Sequence, residues 1–192
     1  MRIRSLIPAL LAVIALPVLA QDVYKIDAVH SQVGFKVRHF VAKTAGRFAK
    51  FEGVIKVDTA DISKSSVEVS IDAASVNTDN EGRDKHLRSA DFFETDKYPA
   101  ITFKSTAVKE VAKGKLEVTG DLTMKGVTKK VTFPITNAGT REVKPGKVVG
   151  GFIDGALKVN RMDYGIKYGP AVVGEEVEIE LNIEAGKQEA SK

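Results

Sequence analysis

The amino-acid sequence predicts an all-β fold, an eight-stranded antiparallel up-and-down barrel with a short helix between strands 3 and 4. Three observations point there. Apolar and polar residues alternate with period 2 through most of the chain. The alternating runs, about eight of them, are mostly separated by short polar or glycine-containing turns. One stretch, Ser75 to Tyr98, breaks the alternation and carries helix-forming residues instead.

The runs follow in chain order. Val33 to Arg38 comes first, then Phe51 to Val57, then Val67 to Asp72. The excursion comes next: Asp79-Asn80-Glu81 can begin a helix, and Arg83 to Ala90 holds good helix formers with Leu87 as an inward anchor. Tyr98-Pro99 then leads into Ile101 to Lys104. Leu116 to Thr123 and Val131 to Phe133 follow, bounded by the turns Lys113-Gly114-Lys115 and Lys125-Gly126-Val127. The run from Lys147 to Asn160 is Gly-rich and alternates less cleanly. Gly150, Gly151 and Gly155 precede no helix, so strand bending explains them better than a phosphate loop. Val177 to Glu184 alternates without a fault. A second irregular loop spans Met162 to Gly174. With about eight strands and one apolar face, closure into a barrel removes exposed edges. Such a barrel holds packed side chains or one small ligand. Phe35, Phe51, Phe103 and Phe133 share the inward parity, and Gly53 and Gly120 of the same parity would leave room beside them. An apolar strand face is most often simply core.

The first twenty residues read as a secretory leader. Arg2 and Arg4 precede an apolar run from Ile7 to Leu19, and Val18-Leu19-Ala20 places small or modest residues before a cut between Ala20 and Gln21. The run is too short for a membrane span. One domain is expected over 21–192, with a polar tail after 185. A periplasmic location fits an exported chain that has no Cys.

Composition narrows the chemistry. Without Cys there are no disulfides, thiolate nucleophiles or Cys-based metal sites. The formal charge of +4 falls to +2 once the leader takes Arg2 and Arg4 and no acid. Acids and bases alternate along most strands, so no strand face gathers a basic stripe and nucleic acid is not an expected partner. His30, His39 and His86 lack a short ligand spacing, and no metal or cofactor is expected. Asp84 and His86 stand at i and i+2, which do not face each other on a helix. They fit a capping and clamping role better than an acid–base pair. His30 and Ser31 are strand neighbours that point to opposite faces, so they make a poor base and nucleophile. Arg161, Asp163 and Tyr164 stand where the long strand gives way to the second loop. They are the candidate mouth and head-group residues, against the common alternative of solvated loop side chains.

The motifs resemble the YceI family. The match runs through Tyr24-Lys25-Ile26-Asp27, His30-Ser31, Phe35, Val37, His39, Gly46, Phe48 and Phe51-Glu52-Gly53. Its most specific block is Arg83 to Phe93, continuing into Lys97-Tyr98-Pro99, Ile101-Thr102-Phe103 and Ser105. Gly120 to Thr123, Gly126 to Lys129 and Val131 complete it. Tyr24 stands where many members carry Trp. The resemblance implies a lipocalin-like barrel whose long apolar channel holds an isoprenoid chain. The expected lining is then Phe35, Val37, Phe48, Phe51, Ile55, Val69, Ile71, Ile101, Phe103, Leu116, Val118, Phe133 and Ile153. Each buried CH₂ is worth about 0.8 kcal/mol, so such a chain is held without a specific polar contact.

The expected function is a non-enzymatic periplasmic carrier for a polyisoprenoid or isoprenoid quinone, with a stress response as one setting. A scavenger of fatty acids or hydrophobic toxins shares the same pocket. An enzyme using His39, Asp84 or His86 ranks below both. A homodimer through a strand edge or open mouth stays an open alternative.

Overall fold

The computed structural model describes residues 21–189. The expected leader at 1–20 and the last three residues lie outside them. The strands are β1 (Asp22–Ile26), β2 (Gln32–His39), β3 (Ala42–Phe48), β4 (Phe51–Val57), β5 (Ser66–Asp72), β6 (Val76–Asn77), β7 (Ala100–Ala112), β8 (Lys115–Met124), β9 (Val127–Lys144), β10 (Lys147–Asn160) and β11 (Val173–Lys187). One helix, α1 (Glu81–Arg88), follows β6.

These segments make eight barrel walls, because three walls are kinked. β1 and β2 form one wall broken at residues 27–31, β3 and β4 another broken at 49–50, and β5 and β6 a third broken by the 3-10 turn Ala73–Ser75. Paired with β11 on one side and β4 on the other, β1 completes a ring through β4, β5, β7, β8, β9, β10 and β11. Beyond the kink, β2 takes over the pairing with β11, with Val37 opposite Val177. Every pairing is antiparallel. The barrel is therefore the up-and-down architecture expected from the alternation, with the helix between walls three and four.

Local chemistry explains the joints. Lys125 and Gly126 both have positive φ, 49° and 75°, as a two-residue hairpin turn requires. The Tyr98 ring lies where a methyl on Gly126 would go. Ser31 clamps the kink in the first wall: its hydroxyl donates to the carbonyl of Glu184 at 3.1 Å and accepts from that residue's N–H at 2.9 Å. The outside of the barrel carries cross-strand ion pairs such as Lys36–Glu180 at 2.6 Å and Lys158–Glu176 at 2.7 Å. At such exposed sites water and salt screen the attraction, so these pairs add little to stability.

Two expectations about the interior change. The inward glycines do not leave open space. Ile26 and the Glu68 carbonyl crowd Gly53, and the Phe103 ring covers Gly120, so an added methyl at either position would overlap them; Gly46, which faces Phe35 across the β2–β3 ladder, is covered by that ring in the same way. Ile153 points outward at 37% exposure, and Phe152 points in at 7%. The cause is a bulge. The β10 register shifts between Phe152 and Gly155 against β11, and Asp154 takes φ of 57°. Inward positions are even through Gly150 and Phe152, then odd from Gly155 through Val159. A bulge inserts one residue and moves every later side chain to the opposite face.

Candidate functional site

The inward faces of the walls enclose a cavity of about 230 Å³. Phe35, Val37, Phe48, Phe51, Ile55, Val69, Ile71, Ile101, Phe103, Leu116, Val118 and Phe133 all line it. Ile153 does not; Phe152 takes its place. The cavity is long for its volume. Leu116 and Met124, near opposite ends of β8, both border it, and eight residue steps at ~3.3 Å span roughly 26 Å along a strand. A lumen below the ~300–1,000 Å³ of drug-sized pockets but stretched over such a length suits a slender, flexible chain.

The sequence reading left out lining residues whose signals were present. Val177, Ile179, Leu181 and Ile183 are the odd positions of the cleanest alternating run, and all four border the cavity. From the helical excursion Leu87 borders the cavity, as the inward anchor read from the sequence, and Phe92 and Phe93 join it. Their inward placement depends on how α1 folds back over the barrel, which no strand periodicity reports.

That excursion is held by charged side chains turned onto backbone. Asn80 caps α1 by accepting from Arg83 N–H at 2.9 Å. Asp84, buried at 7% exposure, accepts from the N–H and hydroxyl of Thr78 at 2.9 and 2.6 Å. Arg83 donates to the hydroxyl and carbonyl of the same threonine, and Arg88 donates to the carbonyls of Ala74 and Val76. Asp84 therefore clamps the helix. His86 bonds Asp91 at 2.8 Å and packs edge-on against Tyr168. His39 lies on the β2–β3 hairpin against Phe40. The three candidate acid–base residues thus have separate structural partners.

Polar groups border the cavity only near its ends. Ser65, Ser66 and Asn137 lie towards one end, and Arg161 lies at the other, beneath the loop that follows β10. Arg161 is buried at 4% exposure. Its Nε, Nη1 and Nη2 donate to the carbonyls of Gly174, Ile166 and Val173 at 2.8, 2.7 and 2.9 Å. Burial lowers its pKa from the ordinary guanidinium value, and Glu175 opposes that shift. The group has five N–H donors, so two remain after the three carbonyls. The rest of the expected mouth trio turns away. Asp163 is exposed, and Tyr164 is buried in the packed core outside the lining. Burial raises the Tyr164 pKa, and its hydroxyl has no hydrogen-bond partner among the described residues.

At the kink of the first wall, Asp27, His30 and Glu184 bring ligand-type atoms within 4.8 Å of one another. The Asp27–His30 hydrogen bond, 3.0 Å, organises them. It raises the pKa of His30 and lowers that of Asp27. His30 is 63% exposed, and the pair serves as a staple for the turn. Ser31, the suggested nucleophile, bonds Glu184 and not His30.

Fold and cavity together define a class: a lipocalin-like barrel with an apolar lumen and polar groups near its two ends. The chain belongs to the YceI family, whose YceI-like domain matches residues 24–185. A UPF0312 protein of Vibrio cholerae is 39% identical over 181 residues, covering 91% of this chain and 93% of its own length. Among solved structures, BcnA of Burkholderia cenocepacia superposes with a TM-score of 0.75 at 29% identity, covering 83% of this chain and 99% of that one. A polyisoprenoid binding domain from Saccharophagus degradans, implicated in plant cell wall breakdown, superposes at 0.64 with 19% identity, covering 86% and 98%. At that identity it shows a shared fold.

Proposed function

We propose that this protein is a periplasmic carrier that holds one long-chain amphiphilic lipid, a polyisoprenoid or isoprenoid quinone, inside the barrel. The observation that carries the reading is the end-to-end cavity with apolar walls and polar groups only near its ends. Its shape and chemistry match a ligand that is hydrocarbon along its length and polar at a tip. The binding described for the Saccharophagus domain supports the same reading. Such a tube selects by length and girth, because removing apolar surface from water has no direction. Arg161 offers its two remaining N–H groups to an oxygen of the polar tip, where a phosphate or a quinone carbonyl would accept them. A binding role needs nothing more from the lining. The sequence's leader-like N-terminus supports export.

Retention of a fluorescent isoprenoid tests the proposal. The full chain, expressed with its own leader and purified from the envelope fraction, should retain the probe through gel filtration. Phe103→Asp should lose at least ~tenfold in affinity, since it places a charge against the apolar chain. Phe103 also covers Gly120, so Ile179→Trp supplies a second variant that narrows the lumen while staying apolar. Retention by folded Ile179→Trp equal to that of the unchanged chain would count against the cavity as the site.

A further inference from the structure

The barrel has two poles. One carries α1 and the loop after β10. The other carries the turns β4–β5, β7–β8 and β9–β10; the β4–β5 turn holds Asp58, turned onto its own backbone, and Asp61, paired with Lys64 at 3.4 Å, and the other two turns are basic. The β7–β8 tip, residues 110–115, holds Lys113 and Lys115; the β9–β10 tip, residues 141–147, holds Arg141, Lys144 and Lys147. Against these five cations stand Glu110 and Glu142. Each of these acids is turned into its own tip, accepting from the N–H of Gly114 and Gly146 at 2.9 and 2.8 Å. None of the five cations has a carboxylate within salt-bridge distance among the described residues, although ion pairs line the barrel sides.

The β7–β8 tip sits against the base of the β9–β10 ribbon. Lys115 Nζ donates to Thr136 Oγ1 at 2.8 Å, and Asn137 N–H donates to the Gly114 carbonyl at 2.8 Å. Past Thr136, β9 has no β8 partner, so its end and the start of β10 project as a two-stranded ribbon whose residues 138–147 are all exposed. Val111 and Val143 show apolar surface beside the cations, at 56% and 48% exposure. Lysines also blunt the edges of exposed ribbons against strand pairing, a role that calls for neither the exposed valines nor the cations of the β7–β8 turn beside the ribbon's base. The two tips sum to +3, more than the +2 of the whole chain after the leader. The remainder of the molecule is accordingly slightly acidic.

We infer that this basic pole docks on an anionic lipid bilayer. A basic patch is attracted to an anionic leaflet, each Lys or Arg near the surface adding to the attraction, and two valines add shallow apolar contact. The inference rests on the lipid-holding reading for its purpose: a carrier must meet the membrane that supplies or receives its cargo. The charge geometry stands independently of that reading.

Co-sedimentation of the full chain, exported and purified as above, tests the docking. Vesicles of phosphatidylcholine with phosphatidylglycerol should bind it, vesicles of phosphatidylcholine alone should bind far less, and added salt should release it. The triple variant Arg141→Gln/Lys144→Gln/Lys147→Gln should bind anionic vesicles at least ~tenfold more weakly, yet retain the fluorescent isoprenoid. Phe40→Asp, at the opposite pole, should bind as the unchanged chain does. Equal binding to both vesicle types, binding undiminished in the triple variant, or loss of binding in Phe40→Asp would overturn the inference. So would absence of binding to any vesicle, which would leave a protein partner for the patch. Loss of isoprenoid retention in the triple variant would place these cations in the lipid site and overturn it too. Vesicle binding by a chain that retains no isoprenoid would refute the carrier reading alone.

Discussion

Asp27 and His30 show how one exposed pair fixes a kink without joining any chemistry. Their hydrogen bond raises the His30 pKa above its ordinary 6.5 and lowers that of Asp27 below 3.8. The histidine's share of stability is fully present below its unfolded pKa and is lost as pH rises through the folded one. The aspartate's share is present above its unfolded pKa and is lost as pH falls through the folded one. Both shares are therefore in place between about pH 3.8 and 6.5, and solvent keeps them small. NMR titration should find the His30 pKa lower in Asp27→Asn than in the unchanged chain. An unaltered His30 pKa in that variant would show that the ion pair is absent in solution. Arg161 makes a contrasting case. Its position in the sequence made it a candidate head-group residue, with a solvated loop charge as the alternative; burial and three carbonyl partners make it first a clamp on its own loop.

At the scale of elements, α1 depends on polar contacts more than on its apolar side. Asp84 satisfies a buried N–H and a buried hydroxyl of Thr78, so Asp84→Ala leaves both without that acceptor. The expected cost is about 1–3 kcal/mol, measured by urea unfolding; a loss below ~0.5 kcal/mol would contradict the clamp. How legible each element was follows from what its neighbours supply. β11 could be read outright because every odd residue from Val177 to Ala185 is apolar. β3, Ala42–Phe48, has no such signal: its inward Gly46 is covered by a ring from β2, so the apolar surface at that point belongs to another strand. The far half of β9 is polar on both faces because it projects past the barrel. The parity of β10 inverts at a bulge, which put Ile153 in the expected lining where Phe152 belongs. The twelve other expected lining residues do face the lumen, because parity holds wherever the ladder is regular.

For the whole molecule, two features of the sequence acquire meaning only in three dimensions. Alternation along eight walls becomes a tube once β1 and β2 together close against β11. The basic turns, about thirty residues apart in the chain, become one pole once β8 and β9 pair. Acids and bases alternate along the strands, so no linear stripe announced that pole. In the carrier role proposed above, the apolar lumen holds the cargo and the charged end meets its source; the central claim concerns the lumen. The most direct measurement is organic extraction of the protein purified from its native envelope, followed by mass spectrometry. The account predicts a long-chain isoprenoid lipid in near-stoichiometric amount, reduced in Ile179→Trp. Recovery of no lipid from the folded, unaltered protein would contradict it.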